Sequence, residues 1–452
     1  MGGGLQMSAA FAALQMHVAE GSIPSIVQSD VSDADMSLSP TQSPRPSSVK
    51  NEEVRKALVC MSNPSLLAPK LSASEVDSYG FKKKTMYLSC EQHDEWWREY
   101  EPYIEKRRQK WYLLMESNGL DSQNPVRFPP KSDRLKRYVR KGIPPEWRGA
   151  AWFWYARGPE RLKSHPGLYD TLVKESESLK NADTEHIERD LYRTFPDNVW
   201  FRSDPDTQTE TPLLQSLRRV LIAFSIYQPK VGYCQSLNFV AATLLLFMPE
   251  EHAFWMLVNI TQNYVPGLHE INLEQVNISQ GILMVSIRDR LPKVWQALRL
   301  EDQYQDNFVT NLPPISLCTA SWFMSLYVSI LPPETMLRVW DCFFFEGSAV
   351  VYRIALTTLK LLENHIVGLQ DEMEVFQKIQ LFPHTLINPN ELLGACYKRV
   401  NGFGHLSQAE IRVIHKFVSE RRKCAANTNS TDKDEYSKFR PGQRLRSRLR
   451  LY

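Results

Sequence analysis

Two short segments carry side chains whose types and spacing suit chemistry on phosphate. One is Ile187-Glu188-Arg189-Asp190-Leu191-Tyr192-Arg193-Thr194-Phe195-Pro196, and the other is Gly232-Tyr233-Cys234-Gln235-Ser236-Leu237-Asn238. The guanidinium of Arg193 stays charged, and its planar fork makes two parallel hydrogen bonds to phosphate oxygens. The amide of Gln235 donates at one end and accepts at the other, which suits it to holding a water. Proline disfavours helical geometry in the residue before it, so Pro196 predicts Arg193 at the end of a helix or just beyond. Asp190 lies one helical turn earlier, a position from which a carboxylate can hold the guanidinium. Gly232 breaks the preceding segment and predicts Gln235 in the first turn of the next helix. Free amides and a positive dipole end there favour phosphate and polarised water. Taken singly, each residue has a plainer reading: an arginine near a helix end is usually a surface ion pair, and a glutamine at a helix start is usually a cap. Cys234 has no base near it in sequence and reads as a packing residue; a cysteine hydrolase built on it would have to lose activity on thiol alkylation.

Helices must position these groups. From Glu91 to Gly119, Trp96, Tyr100, Tyr103, Ile104, Trp111 and Leu114 recur mostly at three- and four-residue steps, the period of an amphipathic helix. Core packing is the expectation for Trp96 and Trp97. Pro212 opens a run with Leu213, Leu214, Leu217, Val220, Leu221 and Phe224 on one face, ended by Gln228-Pro229. A further helix is expected from near Tyr233 to Met248, stopped by Pro249. Ser407-Gln408-Ala409-Glu410 has the pattern of a capping box and opens a helix carrying Ile411, Ile414 and Phe417. No internal repeat and no sustained alternation of period two is present, so an all-α, multi-helix fold is predicted.

Composition narrows the function further. The chain has 452 residues, 43% hydrophobic and 23% charged, with a formal net charge of +3, so no chain-wide field points to nucleic acid. Its seven cysteines form no CxxC pair and no metal-ligand spacing, the usage of reduced thiols in a cytoplasmic protein. Phosphate-loop, HExxH and GxSxG patterns are missing. The apolar stretch from Leu237 to Met248 is shorter than the roughly 20 residues of a membrane span. The start of the chain lacks a signal-peptide pattern, and Gln6 stands where a myristoylation signal needs Ser or Thr. Residues 1–70 are rich in Ser and Pro and are expected to be disordered. Lys438, Arg440, Arg444, Arg446, Arg448 and Arg450 make a basic tail over 425–452 that suits anionic membrane, or simply solvent.

With its neighbours, the paired segment resembles the TBC-domain Rab GTPase-activating proteins. The family's fingerprints read I-x-x-D-x-x-R followed by T/S, F/L and P, and G/A-Y-x-Q-G/S-M/L-N; both stand here in the family's order. Gly142-Ile143-Pro144-Pro145-Glu146-Trp147-Arg148-Gly149 resembles the opening G-I-P segment. Phe254-Trp255 fits the aromatic pair after the glutamine segment, and Arg338-Val339-Trp340-Asp341-Cys342-Phe343-Phe344-Phe345-Glu346-Gly347 fits the late R-V-W-D segment. Ser236 replaces the family's usual glycine, a small-for-small change expected to leave the backbone nearly undisturbed. Gly267-Leu268-His269-Glu270-Ile271-Asn272-Leu273 is similar to a fungal subgroup tied to polarised secretion.

The resemblance implies a TBC domain over 138–400, beside which the residue pattern predicts a helical extension over 71–137 and a C-terminal helix over 401–424. It implies a chain that accelerates GTP hydrolysis by a Rab-family small GTPase, with Arg193 and Gln235 as the catalytic pair supplied in trans. Asp190, Tyr233 and Asn238 would support them. GTP and Mg²⁺ would come with the partner, so no cofactor of the chain's own is expected. Trp147, Trp152, Trp255 and Trp340 are assigned to the core, and Arg148 and Asp341 to a structural ion pair or hydrogen bond. The alternative is a catalytically silent Rab-binding scaffold; degenerate members lose the arginine or the glutamine, and both are kept here. The expected location is cytoplasmic, peripheral at trafficking membranes or sites of polarised growth.

Overall fold

The computed structural model describes residues 75–202, 209–300 and 307–428. The 1–70 segment and the basic tail cations from Lys438 onward therefore lie outside the described residues. The fold is all-α, with only isolated bridges, Val76 to Lys82 and Phe81 to Asn198, as extended pairing among the described residues.

Helix α1 (Cys90–Ser117) starts at a complete capping box in which Ser89 and Gln92 exchange side-chain and backbone bonds. It buries Tyr100, Ile104, Trp111 and Leu114. Trp96 and Trp97 depart from the core expectation: both are half-buried, and Trp96 stacks on Tyr100. After α2 (Asp133–Arg140) come α3 (Arg148–Tyr155), α4 (Gly158–Ser164), α5 (Leu168–Ser176) and α6 (Ala182–Leu191).

The hub is α7 (Pro212–Tyr227). Thr211 caps it by accepting from the Leu214 amide, and Pro212 fits its first turn, where an N–H would be unpaired anyway. Leu214, Leu217, Val220, Leu221 and Phe224 are all buried. Around α7 pack α5, α6, α8 (Leu237–Leu245) and α9 (Glu250–Asn259). Arg218 ties it to Glu188 of α6 and Arg219 ties it to Glu250 of α9. The expected helix from Tyr233 to Met248 is thus shorter at both ends, and Pro249 caps the following helix.

The second half runs α10 (Glu274–Arg290), α11 (Pro292–Ala297), α12 (Ile315–Met324), α13 (Pro333–Glu346), α14 (Ala349–Ile366), α15 (Glu372–Leu381), α16 (Pro389–Tyr397) and α17 (Gln408–Thr428). Ser407 caps α17 through the Glu410 amide, while the Glu410 carboxylate pairs with Arg290 rather than closing a capping box. The helix continues to Thr428, into the stretch expected to belong to the basic tail.

The G-I-P segment and α13 meet at a buried charge cluster. Arg148 forks onto Glu334 at 2.8 and 2.8 Å and lies 3.4 Å from Asp341. Asp341 also accepts from the Ile143 amide at 3.0 Å and from Trp152 Nε1 at 2.9 Å. Tyr79 and Tyr100 donate to Glu334 at 2.6 and 2.7 Å. Burial pushes Glu334 up, but Arg148, Tyr79 and Arg338 together outweigh it and hold the carboxyl below its usual value. Burial dominates at Asp341, which is pushed up to about 6. Trp147, Trp152, Trp255 and Trp340 are all in the core.

Candidate functional site

Helix α6 opens on a capping box between Asn181 and Thr184 and stops at Leu191. Arg193 follows in a turn and is exposed. Its amide donates to the Asp190 carbonyl at 3.2 Å, and Thr194 Oγ1 donates to the same carbonyl at 2.7 Å. Phe195 does not take the extended conformation usual before proline. Its φ of 52° is left-handed, a strained choice for a bulky side chain. Aromatic packing fixes it there: Phe195 is buried against Phe81, Phe201 and Phe239, with ring centroids at 5.0, 5.6 and 5.8 Å.

The glutamine segment runs beside α6. Gly232 has φ 56°, a left-handed backbone that favours glycine, and a Cβ there would lie 2.7 Å from Asp183 Oδ2, which would have to shift. Gln235 is half-buried in a turn two residues before α8, not in its first turn. The reason is Ser236, whose φ of 92° reverses the chain immediately before the helix. Ser236 thus holds a backbone that a glycine adopts freely and that carries a conformational cost for a residue with a Cβ. Ser236 is fully buried, and its hydroxyl donates to the Met324 carbonyl at 3.1 Å. The amides expected to be free are partly engaged: Ser236 N donates to Asn238 Oδ1, Leu237 N to the Cys234 carbonyl and Phe239 N to the Ser236 carbonyl.

The two segments are locked together by side chains that flank the candidate pair. Tyr233 Oη donates to Asp190 Oδ2 at 2.7 Å, and Asn238 Nδ2 donates to Thr194 Oγ1 at 2.9 Å. Burial and the neighbouring Asp190 carboxylate hold the Tyr233 hydroxyl well above its usual value, so it stays a donor. Asp190, placed by sequence to hold Arg193, has Tyr233 on its carboxylate. Thr194, 2% exposed, was not singled out from the sequence; its signal is the T/S position of the fingerprint between Arg193 and Pro196. Desolvation pushes the Cys234 thiol up to about 12, which leaves it protonated and a poor nucleophile.

A loop from α9 to α10 approaches the same place. His269 Nε2 lies 2.8 Å from the Met324 carbonyl, which thus joins His269 to Ser236. Burial pushes His269 down to about 4, so it is neutral and donates from Nε2. A cavity of about 830 Å³ lined by Arg157, Arg161, His165, Asn263, Tyr264 and Glu346 contains neither Arg193 nor Gln235. Those two side chains are offered on loops, an arrangement that fits a partner rather than an enclosed small molecule. No helix among the described residues is long and apolar enough to cross a membrane, and no group of His, Cys, Asp or Glu among them could hold a metal ion.

Comparison with known proteins agrees with this architecture. The Rab-GTPase-TBC domain family matches residues 145–367. The chain is 41% identical to the GTPase-activating protein MSB4 of Saccharomyces cerevisiae, over 70% of this chain and 75% of that one. It is 44% identical to the GTPase-activating protein GYP3 of the same yeast, over 78% of this chain and 64% of GYP3, so it spans a little under two thirds of that relative. The crystal structure of the Chlamydomonas flagellar RabGAP TBC domain superposes with a TM-score of 0.58 at 25% identity, covering 72% of this chain and all of that one. The chain belongs to the Rab-GTPase-TBC domain family. Its likeness to two yeast relatives also fits the fungal character of the Gly267–Leu273 stretch.

Proposed function

We propose that this chain accelerates GTP hydrolysis by a Rab-family small GTPase, with Arg193 and Gln235 entering the partner's active site. The observation that carries the reading is the pair of bonds, Tyr233 to Asp190 and Asn238 to Thr194, that fastens the arginine loop to the glutamine loop. Each bond joins a neighbour of Arg193 to a neighbour of Gln235, which supports the two loops presenting their cation and amide as one unit. Hydrolysis on a small GTPase is slow because charge on the transferring phosphoryl group is poorly stabilised and the attacking water is poorly held. Arg193 supplies the charge stabilisation and Gln235 the water's hydrogen bonds. A supplied arginine is worth about 10³ to 10⁵ in rate, or roughly 4 to 7 kcal/mol of barrier.

In this reading GTP and Mg²⁺ belong to the partner, and Asp190, Tyr233 and Asn238 hold the presenting loops. The resemblance of the Gly267–Leu273 stretch to a fungal subgroup tied to polarised secretion supports a role in vesicle traffic toward sites of polarised growth, with the chain working from the cytoplasm. The test is single-turnover phosphate release from GTP-loaded Rab proteins. Wild type and Gln235→Ala are each measured on a wild-type Rab and on one lacking its own switch glutamine. If Gln235 orients the water, wild type stays active on the mutant Rab and Gln235→Ala is crippled on both. Full activity of Gln235→Ala on the mutant Rab ends the glutamine role.

A further inference from the structure

The arginine loop is gripped from a second side, by residues that precede the matched family region. Residues 76–82 fold into a tight reversal. Asp77 Oδ1 accepts from the amides of Tyr79 and Phe81 at 2.9 and 2.9 Å, and the Asp77 amide donates to the Phe81 carbonyl at 2.8 Å. Gly80 turns the corner at φ 81°, and a Cβ there would meet Trp200 at 2.9 Å and Asn198 Oδ1 at 3.1 Å. One side of this strap is anchored in the core, where Tyr79 Oη donates to Glu334 and accepts from Arg148 at 2.8 Å.

The other side meets the chain just after Arg193. The Val199 amide donates to the Gly80 carbonyl at 2.9 Å, and the Lys82 amide donates to the Asp197 carbonyl at 3.0 Å. Asn198, fully buried, donates from Nδ2 to the Tyr79 carbonyl at 2.8 Å. Lys82 Nζ reaches Asp197 at 2.9 Å, and the ring of Phe81 stands edge-on to Phe195 with centroids 5.0 Å apart. Phe195 is two residues from Arg193 and is the one held in the left-handed conformation. The loop is thus clamped twice: at Thr194 by the glutamine segment and at residues 195–199 by the strap.

We propose that residues 76–82 are a positioning strap for the arginine loop, with Phe81 of the strap and Asn198 of the loop as positioning residues, setting the approach of Arg193 to a bound GTPase. The inference rests on the catalytic reading of Arg193 given above. Four polar contacts and one ring contact fall on four residues just after the arginine, Phe195, Asp197, Asn198 and Val199. The strap contacts described above fall on residues 195–199, beyond Arg193. Its loss should therefore leave partner binding intact and act on the chemical step, where misplacement of about 1 Å costs up to about 100-fold.

The test uses the full chain with Phe81→Ala, Phe81→Leu and Asn198→Ala, and Arg193→Ala as the reference. Saturating single-turnover phosphate release should fall about 10- to 100-fold in Phe81→Ala, while affinity for a Rab loaded with a non-hydrolysable GTP analogue stays within about twofold. Phe81→Leu, which keeps an apolar side chain of most of the volume without the ring, should recover part of the rate and carries the same test if the alanine variant folds poorly. Amide exchange across residues 193–202 should speed up in Phe81→Ala while α7 and α8 keep their protection. An unchanged saturating rate in Phe81→Ala and Asn198→Ala, with Arg193→Ala dead, overturns the strap and leaves the arginine reading standing. A fully active Arg193→Ala overturns the arginine reading and the strap's role with it.

Discussion

Arg193 and Ser236 show how much one backbone torsion decides near the site. Arg193 is exposed on a turn, outside the core, so Arg193→Ala should leave the fold intact and remove nearly all acceleration. Arg193→Lys should recover little, because a point charge lacks the planar fork. Phosphate release within about threefold of wild type for the alanine variant would sink the role, since an arginine finger is worth at least about 10³. Ser236 presents the opposite case, a side chain whose backbone suits glycine but whose hydroxyl is engaged at 3.1 Å. Ser236→Ala keeps the strained φ and loses the bond, at a cost of about 1 kcal/mol. Ser236→Gly relieves about 1–2 kcal/mol of conformational cost while losing the same bond. Glycine should therefore be the better tolerated of the two in urea unfolding; an alanine variant more stable than the glycine one would contradict this. The sequence showed the substitution but not the φ of 92°, and without the torsion a small-for-small exchange looked neutral.

At the scale of elements, α6, α7 and α8 were readable because each has a clear apolar face and a chemical stop. The end of α6 before Arg193 followed from Pro196, and α7 from Pro212 and its leucine ridge. The start of α8 was misplaced because Tyr233, Cys234 and Gln235 look compatible with a helix. What stops them is the reversal at Ser236, which depends on a tertiary bond to Met324 on α12. The same carbonyl fixes the loop before α10 through His269, and this contact gives a pH signature. His269 has a folded-state value near 4, below its ordinary 6.5, because burial disfavours the charged ring. Its contribution to stability is present above pH 6.5 and is lost as pH falls through about 4. The full effect is on the order of 3 kcal/mol. His269→Gln, which stays neutral and can still donate to Met324, should flatten that part of the acid slope. The measurement is the difference in urea midpoint between wild type and variant from pH 7 to 4. Parallel curves would show that His269 does not titrate with unfolding.

For the whole molecule, the informative feature is that a helical domain depends on a non-helical stretch ahead of it. The sequence placed Asp77-Ser78-Tyr79-Gly80-Phe81 only within an extension expected to be helical. Its role was hidden because its partners, residues 195–199, 334 and 148, are distant along the chain, and no local pattern encodes such pairings. This places a boundary that two deletions can find. Removing residues 1–70 spares the strap and should leave both thermal stability and the single-turnover rate within about twofold, since a Ser/Pro-rich segment buries little. Removing residues 1–84 also takes Tyr79, which leaves Glu334 and Arg148 short of a buried partner. That should cost about 1–3 kcal/mol of stability. It should also free the loop at Val199 and Asn198, so the rate falls even at temperatures where the shortened chain is still folded. Thermal melts and phosphate release on the two truncations decide it. A loss of rate already at the 1–70 deletion would assign a catalytic contribution to that segment, and equal rates for both deletions would show that the arginine loop holds its own shape.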